Sequence, residues 1–236
     1  LVRARNNEPT TITARKEIIV SAGAKNTPRL LQVSGLGSKN YLNDLGVDTV
    51  KNIEGVGNNL IDHYGARMVM KANPTYTTLN ELSKGPRLGI QIAKWTVGLP
   101  NILALVPSQV FLFCKSNPDI DFADLQCVFT PGSYKEGKHY VLDDYPGVTG
   151  GWWQHRPLSR GYVKAKSKDI YVDPIIQPNY LSHYQDQEVM VRGLKIIRKL
   201  LNSNSMAKYL EVETVPGQEI QSDEDLLDFC KKFWST

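Results

Sequence analysis

The chain has 236 residues, 41% of them hydrophobic and 22% charged, with a formal net charge of +4. That balance supports a sizeable core in one large domain or two smaller ones, and lysines and arginines scattered along the chain make no nucleic-acid footprint. The longest apolar run, Asn101–Cys114, is broken by Pro107, Ser108 and Gln109, so nothing reaches membrane-spanning length. Three cysteines, Cys114, Cys127 and Cys230, are too few and too dispersed for a disulfide framework or a zinc site and read as small apolar core residues. No Asn-X-Ser/Thr acceptor with a permitted middle residue occurs, and no signal peptide is visible. The sequence opens on Leu1, and residues 3–13 already read as domain interior. A fragment of a longer polypeptide is therefore expected.

In chain order, Thr10–Thr13 and Lys16–Val20 read as short strands of a hairpin turning through Asn6-Asn7-Glu8-Pro9. The second strand runs into SAGAKNTPRLLQVSGLG, residues 21–37. Thr27 suits a helix N-cap and Pro28 the first helical position, with Leu30, Leu31 and Val33 as a short apolar face ended by Ser34-Gly35. A second helix, Ser38 to Leu45, should close at Gly46, and β-branched Val47–Val50 reads as a strand. Residues 55–63, GVGNNLIDH, are polar and punctuated by glycine.

Between Pro74 and Pro107 periodicity fades, apart from a helix over Leu88–Val97. A strand-rich block follows, with Leu125, Cys127 and Phe129 on one face and Gln126 and Val128 on the other. RGYVKAK, Arg160–Lys166, alternates as an antiparallel strand with one covered face should. Two helices close the chain. The first is capped by Ser182, with a core stripe of Met190, Leu194, Ile197 and Leu201. The second is opened by a Ser222/Asp225 capping box ahead of Leu226, Cys230 and Phe233.

Chemistry has one local pointer. A glycine turn at Ser21-Ala22-Gly23, leaving a strand and entering a helix, presents free N–H groups and a positive dipole end to an anionic or electron-rich ligand. Of the histidines, His139 and His183 read as surface or capping residues and His63 as a hydrogen-bonded structural residue. His155, in GWWQHRPLSRG, lies between an aromatic pair and a strand. Arg156 and Arg160 are expected to tie this segment to nearby carboxylates.

The order G-A-x-x-T-P-x-L-L-x-x-S-G-L-G over residues 23–37 resembles the second signature of the glucose–methanol–choline (GMC) oxidoreductases, FAD-dependent alcohol oxidases and dehydrogenases. LGVDTVKNIEGVGNNLIDH resembles that family's LGI…VGxNLxDH stretch. RPLSRGYVKAKSKD followed by DPIIQPNYLSHYQD resembles a third family segment.

The resemblance implies an α+β fold, with part of an α/β flavin domain over residues 1–64 and an antiparallel-sheet substrate domain with helices over residues 65–236. It implies FAD as cofactor and carries Ala22, Gly23, Thr27, Asn59 and Asp62 over to its binding shell. Cys127, Phe129, Trp153 and His155 are substrate-pocket candidates. The implied partners are a small-molecule alcohol and the remainder of the same polypeptide.

Two family features are absent from the sequence. The Gly-x-Gly-x-x-Gly pyrophosphate fingerprint does not occur, since Gly35-Leu36-Gly37 follows a helix instead of opening one. The family's catalytic histidine, in a His-Pro-x-Gly-Thr stretch, is expected beyond Thr236, so no catalytic residue is assigned. Non-oxidative chemistry on the same fold, as in hydroxynitrile lyases or fatty-acid photodecarboxylases, and a flavin-free structural or binding role are the alternatives.

Overall fold

The structure of the chain, a computed structural model, describes residues 2–3, 9–106, 108–135, 138, 141–232 and 234–235. Its elements begin with β1 (Val2–Arg3), β2 (Pro9–Thr10), α1 (Gly23–Val33), β3 (Leu36–Gly37), α2 (Lys39–Asp44), β4 (Lys51–Asn52), β5 (Asn58–Leu60) and β6 (Gly65–Ala72). There follow α3 (Leu79–Leu82), α4 (Gly85–Thr96), a 3-10 turn (Ile102–Ala104), β7 (Val110–Cys114), β8 (Leu125–Thr130) and β9 (Gly147–Gln154). The chain closes with β10 (Gly161–Lys164), β11 (Ile175–Gln177), α5 (Tyr184–Leu201), β12 (Leu210–Val215), α6 (Asp223–Lys232) and β13 (Trp234–Ser235). Mixed helices and mainly antiparallel sheets make this the α+β fold expected.

Two compact units form, Leu1–Leu60 with Gly161–Gln177 and Ile61–Arg160 with Pro178–Thr236. In the first, β10 lies between β11 and β5 in an antiparallel sheet, with Val163 and Ala165 buried and Tyr162 and Lys164 half-buried. The one-sided alternation expected of RGYVKAK is therefore present. Gln32 of α1, only 2% exposed, donates from Nε2 to the carbonyls of Val56 and Val163.

Several expectations in this unit are corrected. Lys16–Val20 forms no strand; Ile18 and Ile19 are 75% and 80% exposed. A strand needs a neighbour to satisfy its backbone, and no described residue pairs with this run. Of Thr10–Thr13 only Thr10 is extended in a ladder, β2 against β1, and residues 6–8 of the expected hairpin lie outside the described residues. Helix α1 starts at Gly23, not at Thr27. The Thr27 hydroxyl reaches back to accept from the Ala22 N–H at 3.0 Å, and Pro28 sits inside the helix, where one backbone bond is forgone. Val47–Val50 is not a strand either; β4, just after it, pairs in parallel with β3. Helix α2 and its exit at Gly46 are as read.

The second unit is one antiparallel sheet in the order β12–β6–β9–β8–β7, with β13 also pairing β6. Helices α5 and α6 supply its core. The stripe Met190, Leu194, Ile197 and Leu201 is buried as expected, with Leu226 and Cys230 beside it, while Phe233 lies outside the described residues. Trp152, fully buried, donates from Nε1 to the Met190 carbonyl at 2.9 Å. Gly193 makes this possible, since a Cβ there would lie 2.3 Å from Trp152 Cδ1. All three cysteines are free thiols, two buried and Cys114 half-buried. Helix α4 fills the Leu88–Val97 region as expected.

Helix α5 is capped by His183, whose Nδ1 accepts from the Gln185 N–H at 3.3 Å, and not by Ser182. Asp186, the last residue of the DPIIQPNYLSHYQD stretch, is 2% exposed and accepts from the Leu158 and Ser159 N–H groups and from the Ser159 hydroxyl. The arginines of that loop do not seek carboxylates. Arg160 donates to the carbonyls of Pro157 and Ser159, and Arg156 lies over the Phe122 ring.

Candidate functional site

In the first unit, the start of α1 is an open ledge. Gly23 takes a φ of +80°, and no atom lies within 4 Å of where a Cβ would stand. Residues 21–25 are exposed, and the uncovered Ile18 and Ile19 lead into them. The Ala22–Thr27 hydrogen bond pins the turn from within. Arg29, farther along α1, donates to Asn26 Oδ1 at 2.8 Å and to the Val172 carbonyl at 3.0 Å. Asn59 sits in β5 at a φ of 60°, with its side chain exposed. Backbone is thus open at Gly23, with apolar Ile18 and Ile19 before it and Lys25, paired with Asp173, after it.

In the second unit, the Asp62 carboxylate accepts from the His63 N–H at 2.9 Å and, in a short bond, from the Tyr180 hydroxyl. Burial first, and then the Asp62 carboxylate, hold the Tyr180 phenol well above its ordinary range, so it stays a donor.

The pleat divides the substrate-pocket candidates. Pairing of Leu112 with Cys127 and of Cys127 with Trp152 puts these side chains on the face that meets α5. Cys127 and Phe129 line an apolar groove of about 530 Å³ there, together with Val110, Leu112, Ile197 and Leu201. Trp153 projects from the opposite face, paired with Gln126, which in turn pairs with Phe113. The four candidates therefore do not share one wall.

On that opposite face an aromatic corner is built. His63 stacks on His155 with ring centroids 5.5 Å apart and donates from Nε2 to the His155 carbonyl at 3.1 Å. Phe113 meets His155 edge-on at 5.7 Å, and Trp153 lies 6.3 Å from His63. Two polar atoms of this corner, Trp153 Nε1 and His155 Nδ1, are buried without a hydrogen-bond partner. Buried polar groups are ordinarily satisfied, so these two point to a missing partner.

Sequence reasoning did not single out Phe113 or Tyr180. Phe113 lies in the wholly apolar VFLFC run, and Tyr180 in the DPIIQPNYLSHYQD stretch of the third family segment, which carries no role for it. His139 lies outside the described residues. Among the described residues no cluster of His, Cys, Asp and Glu could hold a metal ion, and no helix is long and apolar enough to cross a membrane.

Residues 1–65 and residues 157–236 match models of the GMC oxidoreductase family. The chain belongs to the GMC oxidoreductase family. Among GMC relatives it is 33% identical over 233 residues to an oxygen-dependent choline dehydrogenase of Staphylococcus saprophyticus, covering 97% of this chain and 40% of that one. It is 34% identical over 211 residues to an alcohol dehydrogenase [acceptor] of Pseudomonas putida, covering 89% of this chain and 38% of the relative. It thus spans about two-fifths of the length of these curated relatives. The Aspergillus oryzae formate oxidase structure overlays with a TM-score of 0.81 at 20% identity, over 94% of this chain and 43% of that one, and shows the same fold. FAD is the cofactor of this GMC family. The open backbone at Gly23 fits one wall of a flavin site, while the glycine fingerprint for its pyrophosphate is not among residues 1–236.

Proposed function

We propose that the chain is part of a FAD-dependent oxidoreductase acting on the CH–OH group of small alcohols. In this reading the first unit is the later part of the flavin domain and the second is the substrate domain. FAD, when bound, supplies the acceptor for the two electrons and hydrogen that leave an alcohol as it becomes a carbonyl compound. Gly23 offers open backbone to it, Thr27 holds Ala22 in the turn, and Asn59 adds an exposed side-chain amide. The aromatic corner orients the alcohol. Trp153 Nε1–H donates to a substrate oxygen, His155 offers its free Nδ1, and Phe113 excludes water beside them. No residue of this chain is given the role of proton acceptor.

The observation that carries the reading is the pair of unsatisfied buried nitrogens at Trp153 and His155, in a chain of this family. The full-length polypeptide should show flavin absorbance that bleaches when an alcohol is added without air, with an aldehyde or ketone as product. Absence of flavin absorbance would remove the proposal, and lyase or decarboxylation products without net oxidation would change the reaction class. The 236-residue chain alone is expected neither to retain FAD through gel filtration nor to oxidise alcohols.

A further inference from the structure

Helix α4 is inside out. Its one buried side chain is Gln91, whose Oε1 accepts from the Ile102 N–H at 3.2 Å. Ile90, Ile92, Trp95, Val97, Leu99 and Leu103, in the helix and the turn after it, are between 45% and 69% exposed. An apolar helix in a water-soluble protein is ordinarily covered, and a contiguous uncovered apolar surface marks an interaction site.

Charge says what kind of partner fits. Lys84, Arg87, Gln91 and Lys94 follow a three-four-three spacing and make one polar stripe on the side of the buried Gln91, with Ile90, Ile92 and Trp95 outside that series. From Leu82 to Pro118 the sequence holds no Asp or Glu, although acids number 24 in 236 residues. Lys84 is engaged with Asp144 at 3.0 Å, whereas Arg87 and Lys94 lie exposed. A second copy of this surface is a poor partner, because a two-fold contact would set the same cations against each other with no acid to match. A membrane surface with anionic headgroups meets both needs, apolar side chains entering the acyl boundary and the cations staying among the phosphates. Helix α4, with 12 residues, is too short to span, so the geometry is that of a helix lying on the bilayer.

We propose that α4 and the following turn, through Leu103, dock the protein on an anionic lipid surface. This is independent of the flavin reading and survives its failure. The test is co-sedimentation of the full-length protein with vesicles of phosphatidylcholine mixed with phosphatidylglycerol, and with phosphatidylcholine alone.

The protein should pellet with the mixed vesicles, less so at high salt. The double variant Ile92→Ser/Trp95→Ser should bind about tenfold more weakly or worse, since two large apolar side chains are withdrawn from the interface. Arg87→Gln/Lys94→Gln should lose the preference for anionic vesicles. All four side chains are exposed, so circular dichroism should show each variant folded. Failure of the parent protein to pellet, or equal pelleting of the Ile92/Trp95 variant, overturns the proposal. A concentration-dependent dimer in light scattering that Trp95→Ser dissolves, without vesicle binding, would assign the surface to a second copy. Resistance of Lys94 to amine-reactive labelling in the lipid-free monomer would assign it to the protein's own remaining chain.

Discussion

Gln32 Oε1 accepts from the Ala165 N–H at 2.6 Å, joining positions 133 residues apart in sequence. Together with the two bonds its Nε2 donates, it fastens helix α1 to strand β10. A buried amide in this role has no apolar substitute. Gln32→Leu removes an acceptor and two donors, leaving the buried Ala165 N–H unpaired, and should destabilise the protein by about 1–3 kcal/mol. The shift of the urea midpoint, with unchanged slope, measures it.

Gly193 lies within α5, where alanine is the better helix former by about 1 kcal/mol. Its Cβ, however, would meet Trp152 Cδ1 at 2.3 Å and Nε1 at 2.8 Å. Overpacking a buried indole held by a hydrogen bond should outweigh that gain, so Gly193→Ala is expected to lose up to about 2 kcal/mol net. A raised melting temperature in that variant would contradict the packing described.

Asp186 gathers donors from the end of β9 and the loop after it, including Gln154 Nε2 at 3.2 Å and the Ser159 hydroxyl at 2.6 Å. Asp186→Ala orphans them together and should destabilise by about 2–4 kcal/mol, with Asp186→Asn recovering only part. Thermal unfolding of both variants provides the comparison.

Alkaline pH should weaken the fold. Burial raises the Cys127 and Cys230 thiols to about 12 from 9.0, and burial with the neighbouring Cys230 raises the Tyr64 phenol to about 12 from 10.0. These groups lose protons first in the unfolded chain. Their contribution is therefore complete below pH 9 for the thiols and pH 10 for Tyr64, and disappears as pH approaches about 12. Each group can contribute a slope of at most about 1.4 kcal/mol per pH unit. Cys230→Ala should be less stable at neutral pH but lose less between pH 9 and about 12, as read from urea midpoints across that range.

For the proposed function, His155→Phe keeps a ring over His63 but removes the free Nδ1, and Trp153→Phe removes the unpaired Nε1–H. In the full-length flavoprotein each should lower kcat/KM for an alcohol by about tenfold or more while leaving flavin content and melting temperature nearly unchanged. Unaltered steady-state constants would remove the aromatic corner from the substrate's path.

Local patterns in the sequence were enough for α2, the stripe of α5, the alternation of β8 and β10 and the run G-A-x-x-T-P, because each depends on residues within a few positions of one another. Tertiary structure decided the rest. Lys16–Val20 has the composition of a strand but no neighbour to pair with, and pairing is not written in a strand's own residues. Thr27 looked like a helix cap until its hydroxyl turned back to Ala22. The split of Cys127 and Phe129 from Trp153 and His155 follows from the register of three strands, which no single stretch contains. The inverted helix α4 had no signal beyond faint periodicity, since exposure belongs to what the chain packs against, and only the folded molecule sets that.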